Sequence, residues 1–478
     1  MTLADRRVAI WIFLLAFATY AYFHAGGGWN QNSQLDLTRA IVERHTFDID
    51  AYAANTGDLS FANGHVYSNK SPALSWIAAA PYAAMVALER TAGLDPNDVQ
   101  VVTLNAYVCT LACVAFPGAL IPPLLYGLAR RRGFAPSWSV LVALTAGFAT
   151  QLFPFATIFM LHVPSALLLL YALTGERRGL AGFAAGLATA MNYLCAIGLL
   201  FLFASKQRRL FALAAAVPLL ALAAYQQVCF GSFLTNSISR ESGHFLSKGA
   251  ALGVFQWPAL DSIYGVTLSP YRGVFFFAPV LLVAALGVVP WWRDRRAECA
   301  LALLTIAALL VFNMGFNGWE AGFSIGGRYL VPLIPLLCMA IVYARRLKLT
   351  VALAALSFVI NFTAAAVDVQ PSGTIPRPVT QYLLPLLITG HFSPRVPITP
   401  PWSAATITGH TSVNRLTYDE PVVFMRHLPG SPESEWTSFN LGESFTGAGD
   451  ARSLIPIALL LFAGGAAIAR LSRRVPQS

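Results

Sequence analysis

With 478 residues, of which 56% are hydrophobic and only 11% charged, the chain has too little charge for a soluble domain surface and too much apolar sequence for one core. A mean hydropathy of +0.60 agrees, and the sequence reads as an all-α polytopic membrane protein. The net charge of +10 is then mainly a topology signal, and no nucleic-acid partner is expected.

The first apolar run, residues 8–24, follows Arg6 and Arg7. No small-residue cleavage site comes after it, so it is expected to be a retained span. The polar segment 25–100 comes next. Within it, Asp36-Leu-Thr-Arg-Ala-Ile-Val-Glu43 spaces Leu37, Ile41 and Val42 on one face. That spacing predicts a short amphipathic helix on the membrane surface, with Asp36 at headgroup height. Asp48-Ile49-Asp50 follows as a D-x-D, a spacing that can hold a metal on a diphosphate. The stretch NGHVYSNKSPALSW, Asn63 to Trp76, then places Lys70 where polar sequence runs into apolar sequence, at the depth of an anionic headgroup. Residues 72–89 read as an interfacial or re-entrant helix, with a short true span as the alternative.

Further spans are expected near 101–128, 137–156, 159–174, 210–230, 271–292, 298–315, 328–344, 349–367 and 453–469, each near the roughly 20 residues that cross a bilayer. Residues 179–204 suit a helical hairpin whose GFAAG, Gly182 to Gly186, permits close packing. The total is about 11–13 transmembrane helices. Basic clusters at 6–7, 130–132, 177–178, 206–209, 293–296, 345–348 and 470–474 hold 19 of the 32 Lys and Arg. The positive-inside rule puts these clusters, and both termini, in the cytoplasm of an inner-membrane protein. Segments 25–100, 231–270, 316–327 and 368–452 then lie outside. The last is rich in Pro and Gly and reads as a small irregular subdomain, before a final helix and basic tail over 453–478.

The acidic residues cluster in the first outside segment, with Asp36, Glu43, Asp48, Asp50, Asp58, Glu89, Asp95 and Asp98. External cations include Arg240, Lys248, Arg272 in SPYRG and Arg328 in GGRYL; arginine suits phosphate oxygens. An ordinary role for each is a side chain reaching to the interface. The six cysteines sit in or beside apolar segments, as buried thiols do. There is no G-x-x-x-x-G-K-[ST], H-E-x-x-H or C-x-x-C, which argues against ATP-driven transport and the usual zinc hydrolases. The eight histidines lack metal-ligand spacing, and His65 is notable for its nearness to Lys70.

Acidic residues after the first span, a surface helix, and Tyr67-Ser68-Asn69-Lys70-Ser71-Pro72 before an apolar helix resemble the GT-C glycosyltransferases that use polyprenyl-phosphate sugars. The similar branch contains protein O-mannosyltransferases and lipid A aminoarabinose transferases. SPYRGVFFFAP (Ser269 to Pro279) and GWEAGFSIGGRYLVP (Gly318 to Pro332) match more loosely. The resemblance implies a GT-C-like domain over 1–367 that transfers a sugar from a polyprenyl-phosphate donor to a lipid, glycan or protein acceptor on the outer face. Membrane lipids are the other partner, and a divalent metal is possible. The family's Asp-Glu pair at the head of this loop is matched by Asn30-Gln31, so the base is expected at Asp36, or at Asp50 and Asp48. Lys70 and Arg328 would hold the donor phosphate, and Tyr67, His65, Arg272 and Glu320 would line the substrate. The alternatives are a lipid or polysaccharide transporter or flippase, which would place ionisable groups at mid-membrane depth, and an envelope assembly scaffold docking through 368–452.

Overall fold

The computed structural model describes residues 1–241, 254–390, 438–446 and 450–476. Most of the 368–452 subdomain lies outside the described residues. The chain is built of helices because its long Ala/Leu/Val runs satisfy their backbone groups within the segment, as lipid requires. Among the described residues five helices are long and apolar enough to cross a membrane: Gln100–Arg131, Arg208–Phe230, Arg296–Gly315, Leu347–Val367 and Ala451–Ser472. Shorter apolar helices, among them Pro136–Phe148, His162–Thr174 and Arg328–Ala344, pack between them. The outer faces present large apolar side chains, with Leu213 71%, Leu220 69% and Phe462 80% exposed, as expected where lipid is the solvent.

Helix α1 (Leu3–Tyr22) begins with a capping box in which Thr2 and Asp5 satisfy each other's end of the first turn. Strand β1 (Phe23–His24) follows, then α2 (Trp29–Arg39), a hairpin of β2 (Leu59–Ala62) and β3 (His65–Ser68), and α3 (Ala73–Ala92). Near the end of the chain β4 (Phe439–Asn440) pairs antiparallel with β1.

Charge is segregated to two ends. The four acidic residues that sequence places among the basic clusters all meet them or their neighbours. Asp5 pairs with Arg130 at 2.8 Å, Glu176 with Arg131 at 3.5 Å, and Glu298 with Arg132 at 2.7 Å, while Asp294 accepts from Tyr343 at 2.6 Å. Arg130 also donates to the carbonyl of Pro476, and Arg345 lies 4.9 Å from the ring centroid of Phe134. Both described ends of the chain therefore share one end of the bundle. The hairpin, Lys70, Arg272 and Arg328 belong to the polar segments that cap the other.

Two expectations change. Residues Asn30 to Ala40 are all buried, so α2 is enclosed by its neighbours and does not lie on a membrane surface. The 3.6-residue period of Leu37 and Ile41 marks a packed face just as well as a lipid-facing one. The 72–89 segment is one unbroken helix, α3, which rules out a re-entrant turn. It runs alongside α2 and its extension: Ser75 donates to the carbonyl of Gln34, and Tyr82 donates to Glu43. The six cysteines are free and buried, as expected.

The GFAAG segment lies in the helix Arg178–Met191, which packs backbone to backbone on Arg208–Phe230. A Cβ at Gly182 would sit 2.1 Å from the carbonyl oxygen of Phe211, and one at Gly186 2.2 Å from that of Ala215. Gly182→Val should therefore destabilise the protein by about 1–3 kcal/mol, the scale of overpacking, in detergent unfolding measurements. Gly465→Ala, where a Cβ meets nothing within 4 Å, should leave the transition in place.

Candidate functional site

The hairpin is dictated by Asn63-Gly64. Both residues have positive φ, 54° and 82°, which is the geometry of the two-residue turns that match strand twist. The register pairs Leu59 with Ser68 and Ala62 with His65. His65 therefore stands at the closed end, while Asp58, Asn69 and Lys70 gather just beyond the open end.

At the open end Lys70 Nζ lies 2.9 Å from Asp58 Oδ2, with side-chain exposures of 16% and 10%. Asn69 Nδ2 donates to Glu241 Oε1 at 2.7 Å and to Asp58 Oδ1 at 3.4 Å. Burial pushes the Glu241 carboxyl up to about 7; the charge of Lys70 opposes that rise and Asp58 adds to it. Two serine relays fasten the cluster. Ser33 of α2 donates to the carbonyl of Asp58 and touches Ser68 Oγ at 2.7 Å. On the other side Ser60 donates to the carbonyl of Ser237, whose hydroxyl donates to that of Asn69.

Arg328 opens the 3-10 turn Arg328–Leu333 that leads into an apolar helix. Its guanidinium carbon is 5.3 Å from the ring centroid of Tyr329. Tyr329 in turn meets the ring of His162 at 5.8 Å, and the charges of Arg328 and Lys70 both act on that buried imidazole. Lys70 and Arg328 thus act on the same buried side chain from positions far apart in the chain.

The other expected residues lie elsewhere in the same end. Asp36 is buried in α2, one helical turn beyond Ser33, and its charge acts on Arg39. Arg39 is itself held by Glu43 at 3.1 Å and Asn97 at 2.8 Å. Asp50 Oδ2 meets His65 Nδ1 at 2.7 Å and its other oxygen accepts from the Val66 amide, while Asp48 accepts from Thr46. Burial works against the charge of Asp50, but the bonds from Val66 and His65 outweigh it and hold its carboxyl below the ordinary range. Donating to the Asp50 carboxylate raises His65 in turn. Asp48, Asp50 and His65 bring ligand atoms within 4.8 Å of one another and could hold a divalent cation. At about 3.3 Å per strand residue, His65 and Lys70 are roughly 16 Å apart along the chain. The D-x-D and the lysine therefore belong to opposite ends of the hairpin.

Tyr67 is packed against Phe230 at 5.4 Å in a small apolar cluster with Tyr225 and Cys229. Arg272 is fully buried and donates to three carbonyls, of Glu320 at 2.6 Å, Gly322 at 2.7 Å and Tyr271 at 3.1 Å. It ties SPYRG to the GWEAGF loop and so shapes the segment that presents Arg328. Glu320 is buried beside it, and burial pushes its carboxyl up to about 7, with Arg272 opposing.

In the sequence Asp58 is one of many acidic residues of the first polar segment, and no pattern singles out Glu241. The Asn63-Gly64 turn between alternating segments was the available signal for Asp58, since it sets the register that faces Asp58 with Asn69. Glu241 joins through contacts 172 residues apart, which no local pattern encodes.

No protein-family model and no curated protein matches the chain. Among solved structures it is similar to ArnT from Cupriavidus metallidurans in the apo state, at 16% identity over 72% of this chain and 60% of that one, with a TM-score of 0.41. It is similar also to ArnT from the same organism bound to undecaprenyl phosphate, at 16% identity over 76% and 63%, with a TM-score of 0.42. The chain spans less than two thirds of the length of either structure.

The three carbonyls on Arg272 make a structural prediction. Arg272→Met should orphan buried acceptors at about 1–3 kcal/mol each and lower the unfolding midpoint in detergent clearly. An unchanged midpoint would show that the arginine does not hold the loop.

Proposed function

We propose that this chain is an integral-membrane glycosyltransferase that moves a sugar from a polyprenyl-phosphate donor to an acceptor hydroxyl at the outer face of the membrane. The observation that carries this reading is the cluster at the head of α3: a lysine held by one carboxylate, beside a second carboxyl poised near neutrality, with Arg328 close in charge. Such a transfer needs a cation where phosphate leaves and a base where the acceptor hydroxyl loses its proton. The resemblance of Tyr67-Ser68-Asn69-Lys70-Ser71-Pro72 to polyprenyl-phosphate-dependent GT-C enzymes points the same way.

In this mechanism the donor phosphate rests on Lys70 and Arg328, and the polyprenyl tail runs along the apolar helix that begins at Ala73. The acceptor oxygen bonds to the anomeric carbon as the carbon–phosphate-oxygen bond breaks. The electron pair leaves on the polyprenyl phosphate, and the acceptor proton passes to the Glu241 carboxylate. Asp58 positions Lys70 by its ion pair. Asp36, first in the sequence reading, holds the α2 network in this account, and Asp48 and Asp50 lie at the far end of the hairpin. The segregation of charge to two ends favours a rim-located reaction over carriage through mid-membrane charged sites. Both termini fall on the side that the positive-inside rule assigns to the cytoplasm.

Incubating the purified protein with polyprenyl-phosphate sugars and an envelope extract should release polyprenyl phosphate. Lys70→Ala should weaken donor use by about 10- to 100-fold, the scale of one hydrogen bond to a charged group. The base works as its carboxylate, so kcat/KM should rise with pH through about 7 as Glu241 loses its proton. Glu241→Gln should abolish that limb and cost about 10²-fold or more, while Asp36→Asn keeps it. A limb that survives in Glu241→Gln and vanishes in Asp36→Asn would return the role to Asp36. Absence of turnover with every donor would count against the transferase itself.

A further inference from the structure

Behind the lysine and arginine lies a set of polar groups that the mechanism above does not use. The segment between the helices Pro136–Phe148 and His162–Thr174 is buried throughout, although it carries Thr150, Gln151 and Thr157, and His162 that opens the second helix is buried with it. Thr150 and Thr157 donate to nearby carbonyls. Gln151 and His162 differ: both amide atoms of Gln151 and both ring nitrogens of His162 are buried and find no hydrogen-bond partner among the described residues. The Nε of Arg328 is in the same condition.

These groups face one loop. Gly326, at φ 58°, lies so close to Gln151 that a Cβ there would fall 1.9 Å from Nε2. Only glycine lets the loop approach the amide in this way. Just beyond it, Tyr329 lies against the His162 ring and Arg328 lies over the ring of Tyr329. Buried polar atoms are normally paired, and this many left unpaired beside a charged cluster call for an explanation.

The donor and acceptor pattern narrows the chemistry. Gln151 offers two N–H groups and a carbonyl, neutral imidazole one N–H and one lone pair, and Arg328 Nε one N–H. A second anion would not use the carbonyl and the lone pair, and a metal would be repelled by the guanidinium. A group with several hydroxyls, each both donor and acceptor, matches the whole set.

We propose that Gln151, His162 and Arg328 Nε recognise the hydroxyls of a sugar whose phosphate rests on Lys70 and the Arg328 fork. This assignment rests on the transferase reading and adds the residues that select the sugar. His162 and Gln151 are specificity determinants, and Arg328 joins the two halves of the site.

The test compares the binding of polyprenyl phosphate with that of its glucosyl, mannosyl and arabinosyl esters to purified wild type, His162→Phe and Gln151→Met. Wild type should prefer at least one glycosylated lipid. Each variant should lower that preference by about tenfold, roughly one lost hydrogen bond, while affinity for the bare lipid stays within about twofold. Melting temperature should hold or rise, because each variant replaces an unpaired buried polar group with an apolar one of similar shape; a purely structural role predicts a fall. Should either variant fail to fold, His162→Gln and Gln151→Glu give the same comparison with a polar group retained, and an unchanged preference in them overturns the assignment for that residue. Unchanged preference, or equal loss for bare and glycosylated lipid, would also overturn the sugar assignment. Wild type that binds none of these lipids would overturn the transferase reading itself, an outcome distinct from the others.

Discussion

The ion pair between Lys70 and Asp58 is the constraint around which this end of the molecule is arranged. A lysine drawn out of water needs a counter-charge, and Asp58 supplies it at 2.9 Å because the hairpin register leaves the two residues at its open end. The register comes from the Asn63-Gly64 turn, and the serines of α2 and of residues 237–241 clamp the strands from both sides. Lys70 is thereby fixed three residues before the apolar helix α3, where polar chain gives way to lipid-compatible chain. In the proposed mechanism a donor phosphate would compete with Asp58 for this one ammonium. Such a competition would give the pair a use beyond stability, since buried ion pairs are poor stabilisers in themselves.

The architecture was largely legible from the sequence, because membrane spans are written in long local runs. The helices Gln100–Arg131, Arg208–Phe230, Arg296–Gly315 and Leu347–Val367 fall where hydropathy puts them, and the basic clusters do meet at one end. The small-residue spacing of Gly182 and Gly186 also announced its close helix contact. Surface helices were harder. Periodicity says which side of α2 is apolar but not what covers it, and the cover comes from α3, the hairpin and the outer loops.

Of the candidate site, the part carried by local pattern was legible for the same reason. Lys70 and Arg328 stand out as cations opening apolar helices, a local feature. Their partners do not: Glu241 and His162 come from distant segments and are joined by tertiary contacts alone. Arg272 and Tyr67 looked like ligand-facing residues, since arginine and tyrosine in an outside loop carry that signature. The fold employs the first to hold three carbonyls and the second to fill an apolar cluster. The D-x-D found a histidine neighbour, yet at the closed end of the hairpin, so proximity in sequence to Lys70 overstated its proximity in space.

The central claim is that Lys70 exists to capture a lipid phosphate. Its most direct test is the affinity of the detergent-purified protein for polyprenyl phosphate against that for the neutral polyprenol of equal length, in wild type and in Lys70→Ala. The account predicts that wild type strongly prefers the phosphorylated lipid and that the substitution removes most of this preference while polyprenol binding is unchanged. Equal preference in both proteins would contradict it.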